Sequence, residues 1–183
     1  MTRREIMIHI RAAHSGLTLG GMPLFLDGAA NGADGFEELE EAENEQHFQE
    51  LLSTTEAEPE ISEMLVEGRL ITTPRRVELV YEELLDPEFG PSITKIGFDR
   101  DRPAMISMLR SGAVDTAMVF ENKLRHICIY NAPAVGFEVC ISTVRVDNRI
   151  LTDGILELDY YMEIHGVQTE HCKMTITVKN DEE

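Results

Sequence analysis

Over the stretch 155–178 the chain alternates apolar and polar residues one for one. Leu156, Leu158, Tyr160, Met162 and Ile164 fall on one side, with Glu157, Asp159, Tyr161 and Glu163 on the other. After a two-residue His165-Gly166 turn, Cys172, Met174, Ile176 and Val178 continue the apolar side against Glu170, Lys173, Thr175 and Thr177. A period of two belongs to a strand with one buried face, whereas the apolar positions of a helix recur every three or four residues. A ten-residue strand reaches about 33 Å. Strands of that length, each with one apolar face, bury that face and lose their exposed edges when the sheet closes on itself.

The same grammar recurs along most of the chain. It predicts strands over 5–13, 61–66, 76–83, 92–98, 104–109, 116–120, 126–130, 137–146, 155–164 and 167–178. Between them stand turn formers: Pro74, Asp86-Pro87, Gly90-Pro91, Asp101-Arg102-Pro103, Gly112, Glu121-Asn122-Lys123, Pro133, Asp147-Asn148, Asp153-Gly154 and His165-Gly166. Connections this short join antiparallel neighbours, not parallel strands bridged by helices. The expected fold is all-β, an antiparallel up-and-down β-barrel of about 8–10 strands. At 183 residues the chain is expected to form a single domain, 1–183, with a core that needs neither disulfides nor metal.

One segment departs from the pattern. Between His14 and Gly68 there is no lysine or arginine, and 14 of the chain's 34 acidic residues fall there, leaving 20 acidic against 16 basic residues elsewhere. Residues 14–60 therefore read as an acidic, partly flexible insertion after the first strand. Its spacing of Phe36, Leu39, Phe48, Leu51 and Leu52 is compatible with a short helix over 36–52, although 40–46 has no apolar face beyond Ala42. Its glycines make no phosphate loop, since no Gly-Lys-Ser/Thr follows. The formal net charge of -18, with Arg3-Arg4 and Arg75-Arg76 as the only adjacent basic pairs, opposes binding to nucleic acid or to an anionic membrane. Residues 1–10 are too short and too charged for a secretory signal, and no stretch approaches the ~18 apolar residues of a membrane span. Cys128, Cys140 and Cys172, an odd number without a Cys-x-x-Cys pair, read as reduced thiols of a cytoplasmic protein.

Arg110 stands out because alternation places it on the same face as Ile106 and Met108. An arginine on an inner wall needs a partner, since an unpaired buried charge costs several kcal/mol. That partner is either protein, which makes Arg110 a cap at one end of the barrel, or a ligand gripped by the guanidinium fork. Tyr81 shares a face with Glu83, and Tyr81, Tyr130 and Tyr160 can place hydroxyls inside a pocket, as buried tyrosines also do for purely structural reasons. Met108 and Phe120 complete the expected ligand-binding set of Arg110, Tyr81, Tyr130, Tyr160, Met108 and Phe120. His126 and Cys128 share a strand face and, with Cys140, Cys172 or His171, are raw material for zinc. Nothing matches an established zinc spacing, so no metal and no cofactor are expected. His9, His14, His47 and His165 are scattered. No catalytic residue is assigned, since neither a Gly-x-Ser-x-Gly elbow nor a His-Glu-x-x-His pair occurs.

The segments Ser107-Met108-Leu109-Arg110-Ser111-Gly112, Met118-Val119-Phe120-Glu121, Tyr130…Pro133…Gly136, Leu156-Glu157-Leu158-Asp159-Tyr160 and Ile164-His165-Gly166 agree in order and spacing with one family. By them the chain resembles the YwiB-like family of uncharacterised bacterial proteins, over residues 61–179 and the first strand. The resemblance implies a lipocalin-like (calycin) β-barrel and brings no established reaction. Two features depart from the family pattern. Tyr130-Asn131-Ala132-Pro133-Ala134-Val135-Gly136 has alanine where the family has threonine, with one residue more before the glycine, and the acidic segment is longer than the usual first connection. The leading expectation is a barrel that binds a small apolar, amphipathic or anionic molecule with Arg110 near its polar end. The alternative is a solid scaffold whose acidic segment recruits a basic protein partner. An enzyme is the least supported of the three.

Overall fold

The computed structural model describes residues 1–16, 59–86, 90–112, 115–132, 135–164 and 167–180. The acidic stretch 17–58 with its expected helix, Pro133 and the His165-Gly166 turn lie outside the described residues. Ten strands are present: β1 (Thr2–Gly16), β2 (Glu60–Thr72), β3 (Arg76–Asp86), β4 (Gly90–Asp99), β5 (Arg102–Ser111), β6 (Asp115–Glu121), β7 (Arg125–Ala132), β8 (Val135–Arg149), β9 (Ile155–Ile164) and β10 (Val167–Asn180). Each pairs antiparallel with its neighbours in sequence, and β1 pairs with β10 to close the barrel. The expected all-β up-and-down barrel is therefore present, with ten strands.

Alternation fixes which residues point inward. Ile6, Ile8, Ile10 and Ala12 of β1, Val77, Leu79 and Tyr81 of β3, and Leu156, Leu158, Tyr160 and Met162 of β9 are all buried, while residues of opposite parity are more exposed, except Val80 of β3, which is buried as well. Full burial of a Leu, Ile or Phe side chain contributes about 1.5–3 kcal/mol. Several strands outrun their expected limits, β2 most of all. It continues past Val66 because Gly68 and Leu70 keep facing inward, and the glycine admits Ile8: a Cβ there would lie 2.5 Å from the Ile8 Cδ1.

The ladder shifts register at four places among the described residues, and two of them bear on the inner wall near the site. The β8–β9 register shifts between Thr143 and Arg145, so the inward set runs Val139, Ile141, Thr143 and then Val146. The Val146 amide finds its acceptor in the Asn122 side chain, 2.5 Å away, as a displaced ladder amide must. In β10 the register shifts between Gln168 and Glu170. Glu170 was expected on the outer side with Lys173, Thr175 and Thr177. It instead shares the parity of Cys172 and reaches His14 of β1.

The two ends of the barrel differ. At one end Val77, Phe98, Ile106, Phe120, Leu156 and Ile176 pack together with Ile150, which the β8–β9 turn carries into the core. Carbonyl bonding at Arg149 shapes that turn: its oxygen accepts from the amides of Thr152, Asp153 and Gly154. At the other end, where β1, β3, β5, β7 and β9 finish and the even strands begin, the inner wall becomes polar. The β5–β6 connection there needs Gly112, whose φ is +140°, because a Cβ would lie 2.4 Å from the Pro91 carbonyl oxygen.

Candidate functional site

Strand register builds a polar ladder across the inner wall at this second end. Tyr81 of β3 pairs with Thr94 of β4, Thr94 with Arg110 of β5, Arg110 with Thr116 of β6, and Thr116 with Tyr130 of β7. Five hydrogen-bonding side chains thus stand side by side on five consecutive strands. Directly cross-strand side chains are within reach of one another, so the ladder is continuous. A shorter one runs along the opposite wall: His14 of β1 pairs with Cys172 of β10, Cys172 with Tyr160 of β9, and Tyr160 with Thr143 of β8.

Arg110 meets Glu83. Its Nε lies 2.7 Å from Glu83 Oε1, with the Glu83 side chain 2% and the Arg110 side chain 15% exposed. Thr94 joins the two: its hydroxyl accepts from Arg110 Nε at 3.3 Å and donates to Glu83 Oε1 at 2.5 Å. The arginine therefore has a protein partner, and the two charges compensate each other inside the wall. Tyr81 lies against the same group, with Thr94 as a hydrogen-bond partner. Burial, reinforced by the Glu83 charge, pushes its phenol well above the usual tyrosine range, with Arg110 pulling the other way. Burial raises Tyr130 in the same sense, again opposed by Arg110.

These phenols give the barrel a pH dependence. Both stay protonated in the folded chain at pH values where an unfolded chain, titrating near pH ~10, has lost the proton. The folded state then binds more protons than the unfolded state, so stability present below pH ~10 declines as pH rises above it, by at most about 1.4 kcal/mol per pH unit for Tyr81. Thermal unfolding followed from pH 8 to 11.5 is expected to show this decline, and Tyr81→Phe is expected to make it shallower. An identical slope in the variant would count against the assignment.

Between the two ladders lies a cavity of about 150 Å³. Met64, Met108, Met118, Met174, Ile10 and Ala12 form its apolar lining, and Arg110, Glu83, Tyr81, Tyr160, Thr116 and His14 its polar lining. Exposed Glu63 is also on its edge, which places that edge at the surface. Thr116 Oγ1 is buried without a hydrogen-bond partner. Of the residues expected to bind a ligand, Arg110, Tyr81, Tyr160 and Met108 line this cavity. Tyr130 sits beside it at the end of the first ladder, buried and next in register to Thr116. Phe120 lies below, fully buried, its ring edge-on to Tyr160 with centroids 4.9 Å apart.

His14, Glu170 and Cys172 form a cluster that the sequence does not announce. His14 Nδ1 lies 2.6 Å from Glu170 Oε1 and 3.4 Å from Cys172 Sγ. Tyr160 hydrogen-bonds to Cys172 from the other side. Burial, and next the Glu170 charge, hold the thiol well above its ordinary range. Both contacts of His14 use the same ring nitrogen. The imidazole therefore does not stand between carboxylate and thiol in the way a relaying base does. The signal available in the sequence was the shared parity of Glu170 and Cys172; His14 joins them only through closure of the barrel.

The remaining expectations fall elsewhere. His126, Cys128 and Tyr130 do share a face, but Cys128 Sγ turns to the His126 carbonyl oxygen. Of the basic pair Arg75-Arg76, the second is engaged within the protein. Arg76 clamps the outside of three strands, donating to Glu78, Asp99 and Ser107 across Gly97, where a Cβ would lie 2.6 Å from its guanidinium. All three cysteines are free thiols. Among the described residues no helix is long and apolar enough to cross a membrane.

Fold and cavity together define a lipocalin-like barrel: a closed antiparallel meander with one packed end and one polar-walled end. The chain belongs to the family described as Domain of unknown function (DUF1934), which it matches over residues 47–176. It is also similar to the crystal structure of the ywiB protein from Bacillus subtilis, at 16% sequence identity and a TM-score of 0.66, over 98% of this chain and 94% of that one. At that identity the likeness speaks for the fold. No curated protein matches the chain in sequence.

Proposed function

We propose that the barrel binds one small amphipathic molecule in the cavity between its two polar ladders. The observation that carries this reading is the Thr116 hydroxyl, buried on the cavity wall between Arg110 and Tyr130 with no partner. A buried hydroxyl left unpaired costs about 1–3 kcal/mol, and a guest bearing a hydroxyl, carbonyl or amide removes that cost. Size favours a single ring or a short chain, since an apolar cavity of roughly 150 Å³ accommodates benzene. The four methionines supply an adaptable apolar wall for the rest of the guest. Charge favours a neutral head. Glu83 already compensates Arg110 at 2.7 Å, so an added carboxylate gains little there and is repelled by Glu83.

The test is a thermal-shift series with benzene, phenol, benzyl alcohol and benzoate, alongside native mass spectrometry of protein purified without detergent. The neutral alcohols are expected to stabilise most, by about 2.7 kcal/mol at a hundredfold excess over Kd. Thr116→Val is expected to remove the preference for alcohol over hydrocarbon, and Met118→Phe, which fills the cavity, to remove all of the shift. No shift with any probe, together with no retained mass, would overturn the reading. So would a shift that Met118→Phe leaves intact.

A further inference from the structure

We propose that His14, Cys172 and Glu170 form a binding site for one zinc-class divalent cation beside the cavity. Each offers one ligand atom, imidazole Nδ1, thiol Sγ and carboxylate oxygen, and the three atoms lie within 4.8 Å of one another. These are the donor types that zinc selects, and three protein ligands with an open fourth position are a common zinc arrangement. Tetrahedral coordination with Zn–N near 2.0 Å and Zn–S near 2.3 Å sets nitrogen and sulfur about 3.5 Å apart. The His14 Nδ1 to Cys172 Sγ distance is 3.4 Å. His14 Nδ1 and Glu170 Oε1, now 2.6 Å apart, are joined by a hydrogen bond, and the ion would take the place of its proton. That requires the two atoms to separate by roughly 0.7 Å.

The surroundings suit the role. His14 and Cys172 are held opposite each other by the β1–β10 register, so two ligands sit on rigid strands. Glu170 shares the parity of Cys172 on β10 and reaches His14 from that side. Tyr160 hydrogen-bonds to the sulfur and orients it, as outer partners of metal ligands commonly do. The His14 and Glu170 side chains are each 13% exposed, which leaves a path for the ion. Since His14 lines the cavity, the fourth position falls to water or to a guest there. Binding releases the thiol proton to solvent, and His14 coordinates through Nδ1 as the neutral tautomer that carries its hydrogen on Nε2.

Cobalt(II) added to the metal-free full-length protein is the test. One equivalent is expected to produce a near-ultraviolet thiolate-to-cobalt band and intense visible bands of a tetrahedral ion, which zinc then bleaches. Cys172→Ser is expected to abolish the thiolate band, His14→Gln to weaken binding at least about tenfold, and Cys140→Ser to change neither. His14→Gln alters a partly exposed side chain and serves if Cys172→Ser does not fold. Oxygen-only binding by the acidic segment produces no thiolate band, so uptake without that band overturns the proposal. Persistence of the band in Cys172→Ser, or unchanged affinity in folded His14→Gln, overturns it as well.

Discussion

Replacing Glu83 by alanine is expected to destabilise the barrel by about 3–5 kcal/mol, one of the two largest losses foreseen for a single substitution here. The cause is not the loss of an attractive contact alone. Arg110 would remain in the wall with its compensating charge gone, and Thr94 would lose the acceptor of its 2.5 Å hydrogen bond. Removing both charges has a different consequence. The double variant Glu83→Met/Arg110→Met exchanges an ion pair for apolar side chains, a replacement that is often neutral or stabilising. It is expected to recover most of the loss, with Thr94 still bonded to Tyr81. Urea unfolding of the two single variants and the double variant measures the cycle. A Glu83→Ala protein within about 1 kcal/mol of the parent would show that water or another group already compensates Arg110.

Phe120→Ala is expected to cost a similar ~3–5 kcal/mol, for an unrelated reason. Phe120 is completely buried and forms part of the packed end, so truncation leaves a void that its neighbours only partly fill. It also removes the edge-on ring contact with Tyr160, worth about 0.5–1.5 kcal/mol of that total. Phe120→Leu, which keeps most of the volume, is expected to lose much less. The comparison separates a floor residue from a cavity-facing one. A side chain bordering empty space leaves fewer contacts behind when it is shortened, so a loss below about 1.5 kcal/mol would place Phe120 at the cavity after all. Thermal or denaturant unfolding of both variants decides between the two.

Strand parity was legible wherever the ladder is regular. The alternation through Leu156, Leu158, Tyr160 and Met162 predicts their burial directly, and Arg110 was found because Ile106 and Met108 mark its face. Parity fails at bulges, whose extra residue leaves no trace in hydrophobic pattern. Val146 follows Thr143 on the inside although they differ by three positions. Glu170 is a different case: it keeps the parity of Cys172, and its expected outward placement went against the alternation itself. Contacts between distant strands were the least legible. Glu83 was seen to share a face with Tyr81, but only the register of β4 against β3 and β5 carries it to Arg110. His14 looked isolated because its partners lie 156 and 158 residues away. The Thr116 vacancy depends on what surrounding side chains fail to reach, which no local pattern encodes.

Pairing of the first and last strands has a consequence for how the molecule is assembled. From β2 to β10 every new strand can add to the one just made, as in a zip. β1 adds to β2 in the same way, but its other edge must wait for β10, because register partners such as Ile10 and Ile176 are separated by nearly the whole chain. Forming contacts across so long a loop is slow. Until it happens, both β1 and β10 offer unpaired edges to other chains. The same step brings His14 to Cys172 and completes the second polar ladder. The side-chain cluster at His14 and protection against edge-to-edge aggregation thus both depend on closure of the barrel.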